Sequence, residues 1–281
     1  MKKHRKFSSL LIVTAAALVS GLQAGTLFQD TFNRTSSDDL DAETAGMSGS
    51  IPVSAGNVYT QTGLSSVIGG GQWGKTSGTT MGTATILHDF QESDLLTRSD
   101  GKYHMRISLT ATDLTASGDA GDRFVGFGLG YSQAAASAFA DANTANGGIR
   151  GAVSSVTTTG AAGFFVNYNP VFGSFQIFED GVLVDSSVPN TELGTLSADF
   201  YFDAVAAGSA MSYIIYHNGA EIYSGTYTLA NNENYVAFGA RGATYAVDSI
   251  TVETTGGVSN PSALGLWIIS CAGLLPAQHG L

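Results

Sequence analysis

Asn218-Gly219 stands between two short runs with strand character, Tyr213–His217 and Ala220–Tyr223. An Asx-Gly pair in that setting is the strongest short-range signal for a two-residue hairpin, because a type I′ turn needs positive φ at both central residues. Asp180-Gly181 repeats the arrangement between Phe175–Phe178 and Val182–Val184. Two such turns commit four segments to antiparallel pairing. They also assign Asn218 and Asp180 to corners rather than to chemistry, and leave the neighbouring His217 at a strand position.

The rest of the chain agrees. In KYHMRISLTATD, Tyr103, Met105, Ile107, Leu109 and Ala111 alternate with His104, Arg106, Ser108, Thr110 and Thr112, which predicts a strand with one core face and one wet face. Further short runs of this kind recur from Thr26 to Thr254, separated by turn signals, as in an antiparallel sandwich. Glycine supplies 36 of 281 residues and charged residues only 12%, a composition that disfavours long helices. The exception is SQAAASAFADANTAN, where alanines predict one short helix in a loop. With 43% apolar residues the chain can bury a substantial core, so disorder is not expected.

The chain ends read differently. A basic stretch from Lys2 to Lys6, an apolar stretch from Leu10 to Leu22 and the small residue Ala24 form the three-part pattern of a secretory signal peptide. Its removal leaves 8 of 12 basic residues against all 23 acidic ones, a formal charge of −15. Such a surface repels phosphate backbones and anionic lipids, so nucleic acid is not an expected partner and membrane contact is expected only through the tail. The lone cysteine, Cys271, lies in that tail, which leaves the domain without a disulfide, thiol catalysis or a thiolate metal site. The expected organisation is a leader over 1–24, a β-domain over 25–254, and a linker with a short hydrophobic tail over 255–281. The exported product is expected to be secreted or held at a bacterial cell surface.

The two aromatic-x-Asx-Gly hairpins resemble those of laminin-G-like, concanavalin A-like jelly rolls. The opening LFQDTFNR and closing YAVDSITVET are similar to the paired first and last strands of exported bacterial members. The resemblance implies an all-β, antiparallel jelly-roll sandwich whose chain ends meet, and it speaks to fold more than to function. The tail, with Asn260-Pro261-Ser262 before an apolar stretch from Ala263 to Pro276, resembles a degenerate PEP-CTERM sorting tail that lacks the usual Pro-Glu-Pro and basic cluster. A hydrophobic C-terminus packed on the sandwich is the other reading, and a glycolipid-anchor signal a third. Asn33-Arg34-Thr35 is a glycosylation sequon only in a eukaryotic host.

Glucanases that share this fold imply a strand with Glu-x-Asp-x-x-Glu, which sets two carboxylates about 5 Å apart. Glu92-Ser93-Asp94 is the local match, but Leu95-Leu96-Thr97-Arg98 follows and the second glutamate is missing. No Gly-x-Ser-x-Gly elbow occurs, and His88, His104 and His217 are too scattered for a triad or a zinc site. Enzymatic activity is therefore not expected. No cofactor is expected either. Calcium has two acidic segments to consider, Asp38, Asp39, Asp41 and Glu43 in one and Asp119 and Asp122 in the other, and neither carries a spaced ligand ladder.

RFVGFGLGYS is the most unusual surface. Val125, Phe127, Leu129 and Tyr131 are expected on one side, and Gly126, Gly128 and Gly130 leave the other bare, so something must approach the backbone there. One reading is that another segment crosses the stripe. The other is a flat floor for an extracellular or cell-surface glycan, where family lectins bind theirs, with Trp73, Asp122, Arg123, Asn167 and Tyr168 as candidate ligand-binding residues supplied by nearby loops. The leading expectation is non-catalytic carbohydrate binding. The alternatives are a structural surface or matrix protein without a small ligand and, third, a glycoside hydrolase with an unrecognised site.

Overall fold

The computed structural model describes residues 23–35, 37, 39–62, 67–69, 71–75, 80–115, 124–132, 163–169, 173–190, 192–242 and 244–256. The strands, numbered along the chain, begin with β1 (Gln23–Asp30), β2 (Met47–Ser48), β3 (Tyr59–Thr62), β4 (Val67–Gly69), β5 (Gln72–Lys75) and β6 (Thr80–Ile86). They continue with β7 (Leu96–Thr97), β8 (Tyr103–Thr115), β9 (Phe124–Tyr131), β10 (Phe164–Asn169), β11 (Ser174–Glu179) and β12 (Val182–Asp185). The last are β13 (Gly194–Phe202), β14 (Ala210–His217), β15 (Ala220–Thr228), β16 (Tyr235–Gly242) and β17 (Thr244–Gly256). The described residues form no helix, and the alanine-rich segment expected to carry one lies outside them.

Two antiparallel sheets account for these strands. One runs β15-β14-β13-β8-β17-β1-β2, with β4, β5 and β7 attached beside it; the other runs β12-β11-β10-β9-β16-β6-β3. The chain passes between sheets from β8 to β9 and again from β16 to β17, which makes this a β-sandwich of jelly-roll type. First and last strands pair as the resemblance implied: Phe28 lies opposite Val252, and the ladder runs on to Gln23 opposite Gly256.

Both Asx-Gly turns form. Asn218 and Gly219 have φ of 50° and 82°, and Asp180 and Gly181 have 48° and 80°, as a type I′ turn requires. Asn218 also fixes the tip of its hairpin to β13: its backbone N–H donates to Thr195 O (2.9 Å) and its Oδ1 accepts the Thr195 N–H (2.9 Å). It is a structural corner.

The core lies between the sheets. Met105, Ile107, Leu109 and Ala111 from β8 meet Phe127, Leu129, Phe164, Val166 and Phe238 from the seven-stranded sheet, all essentially without exposed surface. Burying a side chain of this size stabilises the fold by about 1.5–3 kcal/mol. His104 departs from its expected wet position and is buried. The Thr255 amide donates to its Nδ1 (3.0 Å), so the ring proton sits on Nε2 and faces Asp199 Oδ1 at 3.1 Å. The outer face of the large sheet is therefore only partly wet.

Burial raises the pKa of Tyr59, with the Asp30 carboxylate beside it adding to the effect, and burial alone raises that of Tyr131. Below pH 10 these phenols are protonated whether the chain is folded or not. Above it the unfolded chain loses protons that the native state keeps, so stability falls by about 1.4 kcal/mol per pH unit for each such tyrosine. Urea midpoints at pH 9 and pH 11 are expected to differ accordingly; equal midpoints would refute the linkage.

Candidate functional site

The seven-stranded sheet has an inner face in the core and an outer face with its own residues. Alternation along β10 sends Phe164, Val166 and Tyr168 inward and Phe165, Asn167 and Asn169 outward. Asn167 lies opposite Gly126 of β9 and Gln176 of β11, and Gly126 in turn lies opposite Gly239 of β16, itself opposite Thr83 of β6. The result is one row across five strands: Thr83, Gly239, Gly126, Asn167, Gln176. The neighbouring row runs Thr85, Ala237, Gly128, Phe165, Phe178.

The glycines are required by this packing. A Cβ on Gly126 would meet Val166 O and lie 2.7 Å from Asn167 Cα, and one on Gly128 would meet the Tyr131 hydroxyl and lie 2.7 Å from Phe164 O. The stripe is therefore partly filled from within the same strand, by Tyr131. Here the structure corrects the sequence reading. Tyr131 does not share a side with Val125, Phe127 and Leu129. Gly130 takes φ of +83°, and the pairing of β16 with β9 shifts register between Tyr235 and Ala237. That irregularity turns the Tyr131 ring onto the outer face, into a cluster with Phe124, Phe165, Phe178 and Ala237.

Polar groups on this face are buried and incompletely satisfied. Asn169 Nδ2 donates to Gln176 Oε1 (3.2 Å). Asn167 has no exposed surface, and among the described residues neither its Nδ2 nor its Oδ1 has a hydrogen-bond partner. Thr85 Oγ1 and Ser174 Oγ are buried without one as well. Leaving such a group unsatisfied costs about 1–3 kcal/mol, so Asn167 is held in place against its own stability.

The five candidate ligand residues separate. Asn167 stands on the glycine floor, on a strand rather than a loop. Tyr168, its neighbour, points into the core and is 7% exposed. Trp73 is not a loop platform: it lies on β5, fully buried, with its ring 5.2 Å from Phe238, 5.5 Å from Tyr245 and 6.3 Å from Phe32. Asp122 and Arg123 lie outside the described residues, as do Asp38 and Asp119. Sequence reasoning missed Thr85, Ser174 and Gln176. Their signal was a polar residue at every second position in otherwise apolar strands.

The other clusters are structural in their geometry. Asp41 Oδ2 accepts the amides of Val58 (2.7 Å) and Tyr59 (3.0 Å), and beside it Arg34 grips Asp30, so a guanidinium supplies the positive charge within that acidic segment. Glu92 Oε1 accepts the Val205 amide (3.0 Å), and Asp94 Oδ2 accepts that of Gln91 (2.9 Å) while facing His88 Nε2 (3.0 Å). Both carboxylates of the incomplete glucanase motif thus hold turns. His217 packs 5.1 Å from the Phe175 ring, where burial lowers its pKa. On the outer face of the large sheet, Arg98 stacks on Tyr201 (4.9 Å) and Arg106 on Tyr216 (5.2 Å). No group of three or more His, Cys, Asp or Glu side chains suited to a metal occurs among the described residues.

The fold is an antiparallel jelly-roll β-sandwich, and a row of its seven-stranded sheet carries glycine on two neighbouring strands of the outer face. The chain is similar to lectin II from Ulex europaeus, at 13% identity over 71% of this chain and 94% of that one, with a TM-score of 0.44. It is likewise similar to a seed lectin from Lotus tetragonolobus (13% identity, 72% and 95% covered, TM-score 0.47) and to arcelin-5, a lectin-like defense protein from Phaseolus vulgaris (12%, 71% and 93%, TM-score 0.42). No family model and no curated protein matches the chain.

Proposed function

We propose that this is an exported, non-catalytic β-sandwich that binds carbohydrate on the outer face of its seven-stranded sheet. The observation that carries the reading is Asn167, a fully buried amide with neither atom bonded among the described residues, in a row to which Gly126 and Gly239 add no side chain. Sugar hydroxyls both donate and accept, and a carboxamide presents one group of each kind. Thr85 and Ser174 add hydroxyls on the same face, and Phe124, Phe165 and Phe178 add the apolar surface on which a sugar ring rests. Because Asn167 has no exposed surface in the free chain, a glycan reaches it only when this face opens locally. That lowers apparent affinity by the fraction of time it is open.

The leader, Met1 to Ala24, supports export, and the acidic exported chain supports an extracellular glycan rather than a polyanion as ligand. The turn-holding roles of Glu92 and Asp94 support a binding protein over a hydrolase. Calcium belongs to the test as a possible aid to binding, since the acidic segments are only partly described.

Asn167→Leu decides the matter. Removing two unsatisfied buried polar atoms while keeping volume is expected to stabilise the free protein by about 1–3 kcal/mol. The same change is expected to abolish any midpoint shift given by soluble polysaccharides, measured with and without calcium, since a ligand of the folded state raises the midpoint with its saturation. A glycan response that survives Asn167→Leu would move the site elsewhere. A folded wild-type protein that responds to no glycan would favour a purely structural surface protein.

A further inference from the structure

The large apolar residues exposed among the described ones are Leu87, Val182, Leu183 and Val184, and three of these four form one edge strand. Val182 is 57% exposed, Leu183 45% and Val184 41%, and among the described residues no strand lies beyond β12 at this edge of the sheet. An edge strand is normally guarded by charge. Here the flanking acids face their own chain instead. Glu179 Oε1 accepts the Tyr213 hydroxyl (2.8 Å), Asp180 Oδ1 accepts that of Tyr227 (2.5 Å), and Asp185 Oδ1 accepts the Ser187 amide (2.6 Å). The hairpin ties its three carboxylates down and presents Val-Leu-Val.

We propose that β12 is a self-association edge, pairing antiparallel with β12 of a second copy of this chain about a two-fold axis through Leu183. The identical strand is the occupant that the sequence fits. Centred on Leu183, the pairing sets Val182 against Val184 in both directions, Asp185 against Gly181, and Asp180 against Ser186, so that no carboxylate meets another. β12 also carries a bulge. Phe178 lies opposite Leu183 and Ile177 opposite Asp185, which leaves Val184 without a partner on β11. A bulge sharpens the local twist and keeps any pairing along this edge short. Antiparallel self-pairing is isologous and closes at two copies. A four-residue edge buries well under the roughly 1,600 Å² of a stable interface, so the contact is weak and exchanging.

The register makes the test specific, because only the residue on the axis lies opposite itself. In full-length protein with Cys271→Ser, Leu183→Cys is expected to form disulfide-linked dimer about tenfold faster than Leu87→Cys at equal concentration, since directly opposed Cα atoms fall in disulfide range. Val182→Cys alone is expected to stay at the slow Leu87→Cys rate, while a mixture of Val182→Cys and Val184→Cys cross-links. A Leu183→Cys rate no greater than that of Leu87→Cys overturns the proposal. So does equal cross-linking of Leu183→Cys and Val182→Cys, which would signify association without this register. Because all these residues are exposed, failure to fold does not confound the comparison. Leu183 lies opposite Phe178 at the margin of the proposed glycan face, but the cross-linking is read without glycan and so tests the edge alone.

Discussion

Replacing Arg34 by methionine is expected to destabilise the protein by about 3–5 kcal/mol, more than any surface charge would account for. Asp30 is fully buried, and the Arg34 side chain is only 2% exposed. The guanidinium grips the carboxylate in a fork, Nη1 to Oδ1 at 2.6 Å and Nη2 to Oδ2 at 2.7 Å, and also donates to the carbonyls of Leu40 (2.5 Å) and Ala45 (3.1 Å). Asp30 in turn accepts from the Phe32 amide (2.7 Å) and the Tyr59 hydroxyl (2.9 Å). One ion pair thus ties the end of β1 to the long connection before β3.

Removing the cation leaves a buried carboxylate with hydrogen bonds but no counter-charge, and this is what makes the loss large. Arg34→Lys is expected to recover little, because an ammonium cannot reproduce the planar fork or reach both carbonyls. The double change Asp30→Asn with Arg34→Met is expected to be milder than Arg34→Met alone, since the stranded charge goes with its partner. At roughly 2–4 °C per kcal/mol for a domain of this size, the single variant melts about 6–20 °C lower. A midpoint within about 2 °C of wild type would show that the pair contributes nothing net.

Trp73→Ala is expected to cost a similar amount, about 3–5 kcal/mol, through the cavity it opens between the sheets. The indole is enclosed by Phe32, Phe238 and Tyr245, and Phe238 comes from the opposite sheet. Trp73→Phe keeps a ring there and removes an Nε1 that has no partner among the described residues, so it is expected to cost less. The pair also separates core from site. Any glycan response, scaled to the folded fraction, is expected to persist in Trp73→Phe and to vanish in Asn167→Leu. Its selective loss in a well-folded Trp73→Phe would return Trp73 to the binding surface and contradict its placement in the core.

The parts of this protein legible from sequence are those whose cause is local. A type I′ turn needs two positive φ angles in succession, so Asn218-Gly219 and Asp180-Gly181 declare their hairpins without reference to the rest of the chain. The alternation from Tyr103 to Ala111 marks the core side of β8 in the same way, because the side-chain period of a strand is two. The glycines at 126 and 128 announce a close approach, and close approach is what Val166, Asn167, Phe164 and Tyr131 make there.

What the tertiary structure alone decided has distant or two-sided causes. Phe164, Phe165, Val166, Asn167 and Tyr168 carry little polar contrast, because both faces of β10 are covered, so nothing local says that Asn167 faces out and Tyr168 in. Trp73 enters the core because β5 pairs with β17, whose Val247 lies opposite it from far along the chain. Tyr131 leaves its expected side through a glycine in the left-handed region and a register shift against β16. Turn chemistry and alternation are properties of neighbouring residues and are written in the sequence. Which face a strand offers, and whether a polar side chain there finds a partner, depends on strands brought alongside from elsewhere, and only the folded chain settles it.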